Sequence, residues 1–281
     1  MPFHPQEQYQ CGPASLAMML NTQGVSATPE ELIERVYLPA RQGALQIEMV
    51  AAARQYGMLV YPLGPDLASV LTEVSAGHPV LVLQNLRFNW WPQWHFAVVI
   101  GFDSAREALI LHTGTEQGYL QKVSVFMATW DRSGRWARII VRPGQIPVTA
   151  QPLPYLMAAH DLETTQQPVA AKSAYLAAAK AWPDQPAALL GLGNIAYQQG
   201  QWAAAAEYYQ AMTHRFPGIA SGWNNLAEAR LKQGCTEAAE AASTTANRLA
   251  PDRFFVINPE SSHPNPPDAS MPRDCPAPVS Y

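Results

Sequence analysis

Helical and strand-like patterns of apolar residues divide the first half of the chain into two regions. Residues 12–21 combine helix formers with small residues on one face. The sequence TPEE at 28–31 is typical of a helix N-terminus, with a capping threonine, then a proline and two acidic residues. Residues 47–56 and 67–76 are also predicted to be helical, because each segment is followed by a glycine at which a helix can end. Helices are therefore predicted for most of the chain up to Ala76.

Branched, apolar segments of strand length follow these helices. They cover residues 79–85, 95–102, 108–112 and 136–141, with turn-forming residues between them. All are far shorter than the ~20 apolar residues that cross a bilayer, so the sequence predicts no membrane span. Because helices come first and strands follow, we predict an α+β domain in which N-terminal helices pack on an antiparallel sheet.

A regular repeat marks the second half of the chain. Pro183, Pro217 and Pro251 recur at one fixed interval of about 34 residues, and each follows an alanine-rich helical stretch. Small residues recur where two helices of a pair would touch, and the prolines fall where the second helix would end. The pattern is similar to the tetratricopeptide repeat and predicts an all-α array over residues 155–253, with two clear copies and one weak copy.

Composition along the chain suggests the domain boundaries. We assign residues 1–145 to the α+β domain and the proline-containing residues 146–154 to a linker. The repeats occupy 155–253. Residues 254–281 are polar and dense in proline, and we predict a flexible tail because such a segment buries little apolar surface.

Bulk composition excludes one broad class of function. The chain has 281 residues, enough for about two domains, and 48% of them are hydrophobic, which allows a sizeable core. Charged residues make up only 14%, and the net charge is −4. A nucleic-acid partner is therefore not expected, since binding the phosphate backbone calls for a basic face.

The chain contains three cysteines, and their spacing fits no zinc or redox motif because no C-x-x-C occurs. We interpret Cys235 and Cys275 as two separate thiols. The alternative is a disulfide between them that fastens the tail, and such a bond would require an oxidising compartment.

Cys11 stands directly before Gly-Pro-Ala at the start of the first predicted helix. The partial positive charge and free N–H groups of a helix N-terminus favour a thiolate, which is the nucleophilic form of cysteine. The same N–H groups can stabilise an oxyanion, and an upstream glutamine can add a hydrogen bond. We prefer Gln6 for that role, with Gln8 and Gln10 as competitors.

His95 opens an apolar predicted strand, far from Cys11 along the chain. A histidine near the sulfur in space can take the thiol proton and later protonate the leaving amine. Trp91 and Trp94 lie just before this histidine. They belong either to a packed loop or to one wall of a substrate cleft, since aromatic side chains often line peptide-binding grooves.

Three segments together carry a family resemblance: Q-x4-CGPA, AGHPVLV at 76–82 and HFAVVIGFD at 95–103. They resemble the bacteriocin-processing cysteine peptidases of bacteria, papain-like domains that remove double-glycine leaders. Most similar is the stand-alone, often exported branch that carries C-terminal tetratricopeptide repeats. The resemblance covers about residues 3–145.

The resemblance implies a papain-like fold and a Cys11–His95 catalytic pair with Gln6 as oxyanion donor. It also implies hydrolysis of a peptide bond without metal or organic cofactor. Export is the expected localisation, either periplasmic or membrane-anchored, with a leader removed ahead of Met1.

One departure from the family concerns the residue that orients the histidine. The family usually places an aspartate, followed by proline, on the next strand. Counting on from His95, that position falls at about His112, where no acid stands. Either the enzyme works as a dyad, or His112 orients the base, or an acid or amide elsewhere does so.

The leading hypothesis is thus a peptidase that acts on a peptide or protein substrate, with repeats that bind the substrate or a protein partner. The alternative is a catalytically weak or inactive peptidase-like scaffold that acts through its repeats in protein–protein binding. A third reading is acyl transfer, which would share the same acyl-enzyme.

Overall fold

The computed structural model describes residues 1–5, 10–38, 43–257 and 275. The chain divides into two compact units, Met1–Ala177 and Ala178–Tyr281. None of the helices in the described part of the chain has both the length and the apolar character needed to cross a bilayer.

The first unit consists of a sheet with helices packed against it. In chain order, its elements up to the proline-rich connection are α1 (Cys11–Thr22), α2 (Pro29–Val36), β1 (Tyr37–Leu38), β2 (Gly43–Ala44), α3 (Gln46–Gln55), β3 (Leu59–Pro62), α4 (Leu67–Ser75), β4 (Val80–Asn85), β5 (Trp94–Asp103), β6 (Ala108–Thr113), β7 (Glu116–Lys122), α5 (Val123–Asp131) and β8 (Ala137–Val141). The remaining helices are α6 (Pro152–Thr164), α7 (Pro168–Ala181), α8 (Pro186–Gln198), α9 (Trp202–Arg215), α10 (Ala220–Lys232) and α11 (Thr236–Leu249).

The main sheet has the strand order β3-β8-β4-β5-β6-β7, and every pair of neighbours is antiparallel. The predicted α+β class, with early helices on an antiparallel sheet followed by an all-α repeat region, is confirmed. Leu83 of β4 lies opposite Phe96 of β5, and both belong to a buried cluster with residues of α1, α2 and α3. These helices therefore cover one face of the sheet. Gln84 points to the other face, because side chains alternate along a strand, and bonds Thr129 of α5.

Local sequence signals explain several element ends. The Thr28 hydroxyl accepts from the Glu31 N–H and the Glu31 carboxylate accepts from the Thr28 N–H, which completes a capping box at α2. Gly57 and Gly77 follow α3 and α4 with φ of 71° and 84°, a conformation that costs glycine little.

Four strands and one helix were not predicted, and two of these strands, β1 and β2, have only two residues each. β7 is an edge strand whose residues are mostly exposed, so it carries no alternation of apolar and polar residues. β3 has only four residues, and α5 follows β7 directly. The four residues of β3 give too short a pattern to be found in the sequence, and α5 is rich in the branched and aromatic residues that are more typical of strands.

The proline-rich connection after β8 is hydrogen-bonded to the first unit. The buried carboxylate of Glu73 accepts from both the N–H and the hydroxyl of Thr149, each at 2.6 Å. The Tyr61 hydroxyl accepts from the Gln151 N–H at 3.0 Å. These bonds fix the segment that leads into α6.

The second unit packs helices pairwise around small residues. A Cβ at Gly193 of α8 would overlap the ring of Tyr209 of α9, lying 2.6 Å from Cδ1 and 2.8 Å from Cζ. Glycine is therefore what lets α8 and α9 approach so closely. Trp223 of α10 fills the space beyond them and donates its indole N–H to the carbonyl of Pro217 at 2.8 Å.

The interpretation of Cys235 and Cys275 as separate thiols is wrong. The two cysteines form a disulfide, with their Cα atoms 5.4 Å apart. At the start of the predicted tail, Phe254 and Ile257 pack against the repeat core, and the Phe254 carbonyl accepts from the Asn247 side chain. The rest of the tail, apart from Cys275, lies outside the described residues.

Candidate active site

Cys11 is the first residue of α1. The helix begins without a side-chain cap at Gln10 and without an acidic residue in its first turn. No carboxylate of the helix's first turn therefore competes with the sulfur for the partial positive charge of the helix end.

The sulfur of Cys11 is half-buried and lies against β5. Burial raises the pKa of the thiol, while hydrogen bonds from the backbone N–H groups of Phe96, Gly12 and Cys11 itself lower it. Burial is the larger effect, so the pKa lies above its ordinary value and the resting side chain is a thiol at neutral pH. The N–H groups at the helix end favour the thiolate as expected, but they do not by themselves offset the loss of water around the sulfur.

Gly12 explains the glycine of the CGPA motif. A Cβ on this residue would lie 2.5 Å from the Cβ of Ala44 in β2 and 3.2 Å from the sulfur of Met49 in α3. Any larger residue would push the start of α1 away from its neighbours, and the sulfur of Cys11 would move with it.

His95 lies near the start of β5, directly before the residue whose N–H reaches the Cys11 sulfur. The structure therefore brings the Cys11 sulfur to the backbone of this end of β5. The His95 side chain lies on the sheet face of Gln84, opposite the face that α1, α2 and α3 cover. The Nε2 atom of His95 is 2.7 Å from the hydroxyl of Thr113 in β6. Burial lowers the pKa of His95 to about 4, so the imidazole is neutral at ordinary pH.

Thr113, rather than His112, forms the hydrogen bond to the ring of His95. The register shifts by one residue at a bulge between Val99 and Gly101, and beyond it Val98 lies opposite His112. His112 therefore shares a sheet face with Val98, while His95 points to the other face. Without the extra residue, His112 would lie opposite Val99 and on the face of His95. The count along the sequence missed the bulge, so the suggestion that His112 orients the base is wrong.

His112 has structural contacts of its own. It is buried, its Nδ1 atom accepts a hydrogen bond from the Gly118 N–H at 3.1 Å, and its ring meets the edge of Phe3 at a centroid distance of 5.2 Å. It links the N-terminal segment to the β6–β7 hairpin.

A threonine in this position leaves the tautomer of His95 open. A hydroxyl can accept from Nε2–H or donate to bare Nε2, whereas a carboxylate can only accept and also stabilises the imidazolium. Nδ1 of His95 has no hydrogen-bond partner among the described residues, so this nitrogen is the one left for proton transfer. Thr113 carried no signal in the sequence, because its role depends on strand pairing.

The tryptophans form part of an exposed aromatic loop between β4 and β5. Trp91 and Trp94 are 63% and 53% exposed, so this loop is not a packed one. Asn85, which is buried at the end of β4, holds the loop in shape: its side-chain oxygen accepts from the N–H groups of Arg87 and Gln93 at 3.1 and 3.0 Å. Sequence reasoning missed this role of Asn85.

The oxyanion donor remains a prediction. Gln6 and its competitor Gln8 lie outside the described residues. Gln10 is described, and its backbone carbonyl accepts from the Ala14 N–H in the first turn of α1. The backbone N–H groups at the start of α1 are the oxyanion donors that the described residues offer.

Comparisons with known proteins find matches in both halves of the chain. Residues 1–138 match the model described as "Peptidase_C39 like family", and residues 156–218 and 198–253 match the tetratricopeptide repeat. Among solved structures, the chain is similar to a candidate C39-like peptidase from Bacillus anthracis, with 18% identity and a TM-score of 0.40 over 50% of this chain and 94% of that one. A search of curated proteins finds no match to the sequence.

Proposed function

The chain carries an N-terminal Peptidase_C39-like domain followed by tetratricopeptide repeats, and from this premise we propose that it hydrolyses a peptide bond with Cys11 as nucleophile and His95 as base. One observation supports this assignment above all. The thiol at the start of α1 lies against the backbone N–H of the residue that follows His95, and Nε2 of His95 is hydrogen-bonded to Thr113, which leaves Nδ1 for the proton.

The reaction begins from a neutral pair. His95 takes the thiol proton on Nδ1 as the sulfur of Cys11 attacks the scissile carbonyl, so that an S–C bond forms while the carbonyl becomes an oxyanion. The imidazolium then gives its proton to the leaving amine, and the C–N bond breaks. A water molecule, deprotonated by the same imidazole, attacks the thioester and releases the second product and the thiol.

The oxyanion is stabilised by backbone N–H groups at the start of α1 and by the side chain of Gln6. Trp91 and Trp94 form one wall of the substrate cleft and contact apolar side chains of the peptide. The substrate is a peptide or exported precursor in an extended conformation, since such a segment can contact the exposed side chains of Trp91 and Trp94.

Cleavage of a peptide mixture tests the proposal. We expect the wild-type chain to produce new peptide ends, detected by mass spectrometry, in a mixture of synthetic peptides of varied sequence. The variants Cys11→Ala and His95→Gln, shown to be folded by circular dichroism, should produce none. The proposal is excluded if Cys11→Ala yields the same cleavage products as the wild type.

A binding scaffold is the second candidate, and the identity of Thr113 favours it. A hydroxyl neither fixes the histidine tautomer nor stabilises the imidazolium, and both functions support catalysis. Under this alternative, the wild type and Cys11→Ala would bind the same peptides equally, and neither would cleave them.

We also propose that the protein is exported. The support is the disulfide between Cys235 and Cys275, a bond that persists in oxidising compartments and is rare in the cytosol. Thiol titration of protein isolated from its native cells should then find one reactive cysteine, Cys11, after unfolding. Three free thiols would contradict the assignment.

A further inference from the structure

The second unit contains an open pocket between α8, α9 and α10 that is lined by aromatic, amide and acidic side chains. Its volume is about 220 Å³, room for roughly seven water molecules at ~30 Å³ each. The lining residues are Asn194, Tyr197, Gln198, Tyr209, Asn225 and Glu228. All six come from the repeat unit, so the cavity is separate from the Cys11 site.

Glu228 supplies the charge of this cavity. Its side chain is half-buried, and within the described ranges no cation pairs with its carboxylate. The nearest cation along α10, Arg230, is bonded instead to Gln210 at 2.7 Å and Gln233 at 3.0 Å. A partly desolvated, unpaired carboxylate favours a cationic ligand.

An aromatic wall stands beside this carboxylate. The ring of Tyr197 meets the edge of Trp202 at a centroid distance of 4.9 Å. Burial and then the charge of Glu228 raise the pKa of Tyr197, which indicates that phenol and carboxylate are close and that the phenol stays neutral. A cation placed between them would gain an ion pair and the attraction of an aromatic face.

Two amide side chains line the rest of the cavity. The Asn194 side-chain oxygen accepts from the Tyr209 hydroxyl at 2.8 Å and more weakly from the Asn225 amide at 3.4 Å. This arrangement leaves the Asn194 amide nitrogen without a partner among the described residues. Amide groups match the donors and acceptors of an extended peptide main chain.

We propose that this cavity binds a lysine or arginine side chain of an extended peptide segment. The cationic head pairs with Glu228 beside the ring of Tyr197, and the peptide main chain contacts the amides of Asn194 and Asn225. The partner of the repeats is thus a protein segment that carries a basic residue. This inference does not depend on the thiol chemistry of the first unit.

Two fluorescent hexapeptides of alanine and serine test the proposal. One carries a central lysine, and the other carries norleucine, which keeps the four-carbon stem without the ammonium group. Binding is measured by anisotropy with the full-length Cys11→Ala variant, so the result does not depend on whether the protein cleaves peptides. We expect the lysine peptide to bind about tenfold more tightly than the norleucine peptide.

Glu228→Gln should abolish this difference. The matched control Glu207→Gln, an exposed change on α9 outside the cavity lining, should preserve it. Asn225→Ala should weaken both peptides alike, because it removes a main-chain contact. If Glu228→Gln does not fold, added salt serves instead, since it should reduce the preference for lysine by screening the ion pair.

The proposal is overturned if the two peptides bind equally or not at all. A lysine preference that survives Glu228→Gln in a folded protein, or that resists high salt, also overturns it.

Discussion

Replacing Thr113 by aspartate should raise the pKa of His95 and activate Cys11. Burial lowers the pKa of His95 from its usual 6.5 to about 4. That lowering corresponds to about 3 kcal/mol against the imidazolium, since each pKa unit is worth about 1.36 kcal/mol. Threonine, at 2.7 Å from Nε2, has no charge with which to offset this cost.

A carboxylate at the same distance would offset part of the cost. An opposite charge within ~4–6 Å typically shifts a pKa by about 1–3 units, so we expect the pKa of His95 in Thr113→Asp to lie at roughly 5–7. The imidazolium would gain about 1–4 kcal/mol, and transfer of the Cys11 proton would become easier by the same amount. Alkylation of Cys11 at neutral pH should therefore accelerate by about tenfold or more.

Two measurements check this prediction without any known substrate. The first is an NMR titration of the His95 ring, assigned by comparison with His95→Gln. The second is the rate of iodoacetamide reaction at Cys11, the one cysteine outside the disulfide.

Thr113→Asn is the matched control, because it keeps a hydrogen-bonding side chain of similar size without the charge. It should leave the pKa near that of the wild type. A ring that still titrates near 4 in Thr113→Asp, with an unchanged alkylation rate, would refute the assignment of Thr113 as the residue that orients His95.

Three further outcomes follow from the packing and the pKa directions. Because burial raises the pKa of the Cys11 thiol, its alkylation rate in the wild type should keep rising with pH beyond 8; a plateau between about pH 5 and 8 would instead reveal a thiolate–imidazolium pair. Gly193→Ala should destabilise the repeats by ~1–3 kcal/mol in urea unfolding because its Cβ overlaps Tyr209. Gly222→Ala should cost less than ~1 kcal/mol, because its Cβ would meet the flexible end of Met212 at 3.3 Å and Thr213 Cγ2 in ordinary contact at 3.4 Å. Reducing the disulfide at Cys235, which closes a 40-residue span, should lower the stability of the repeats by up to about 4 kcal/mol by the chain-entropy relation, and an unchanged thermal midpoint would contradict that.

Local signals were enough to find the elements that carry their own pattern. The TPEE segment predicted the start of α2 because its capping box closes within one helical turn. The repeated prolines predicted the helix pairs of the second unit, because each repeat carries the same local helix–turn–helix pattern. β7 escaped prediction because an exposed edge strand has no apolar face to show.

The candidate site was found only in part. Cys11 and His95 stand at the predicted positions on α1 and β5. The effect of burial on the Cys11 thiol could not be predicted from the sequence, since burial depends on what packs over the helix end. The disulfide between Cys235 and Cys275 was only the alternative interpretation, because two cysteines separated by 40 positions in sequence reveal nothing about their distance in space.

The sequence by itself determined which residues can carry chemistry and the secondary structure on which most of them lie. Only the tertiary structure decided which of them meet. One extra residue in β5 turns His112 to the far side of the sheet and brings the Thr113 hydroxyl to His95. Side chains alternate across a strand with a period of two, so a single bulge exchanges the faces of all residues beyond it, and nothing in the local sequence records that exchange.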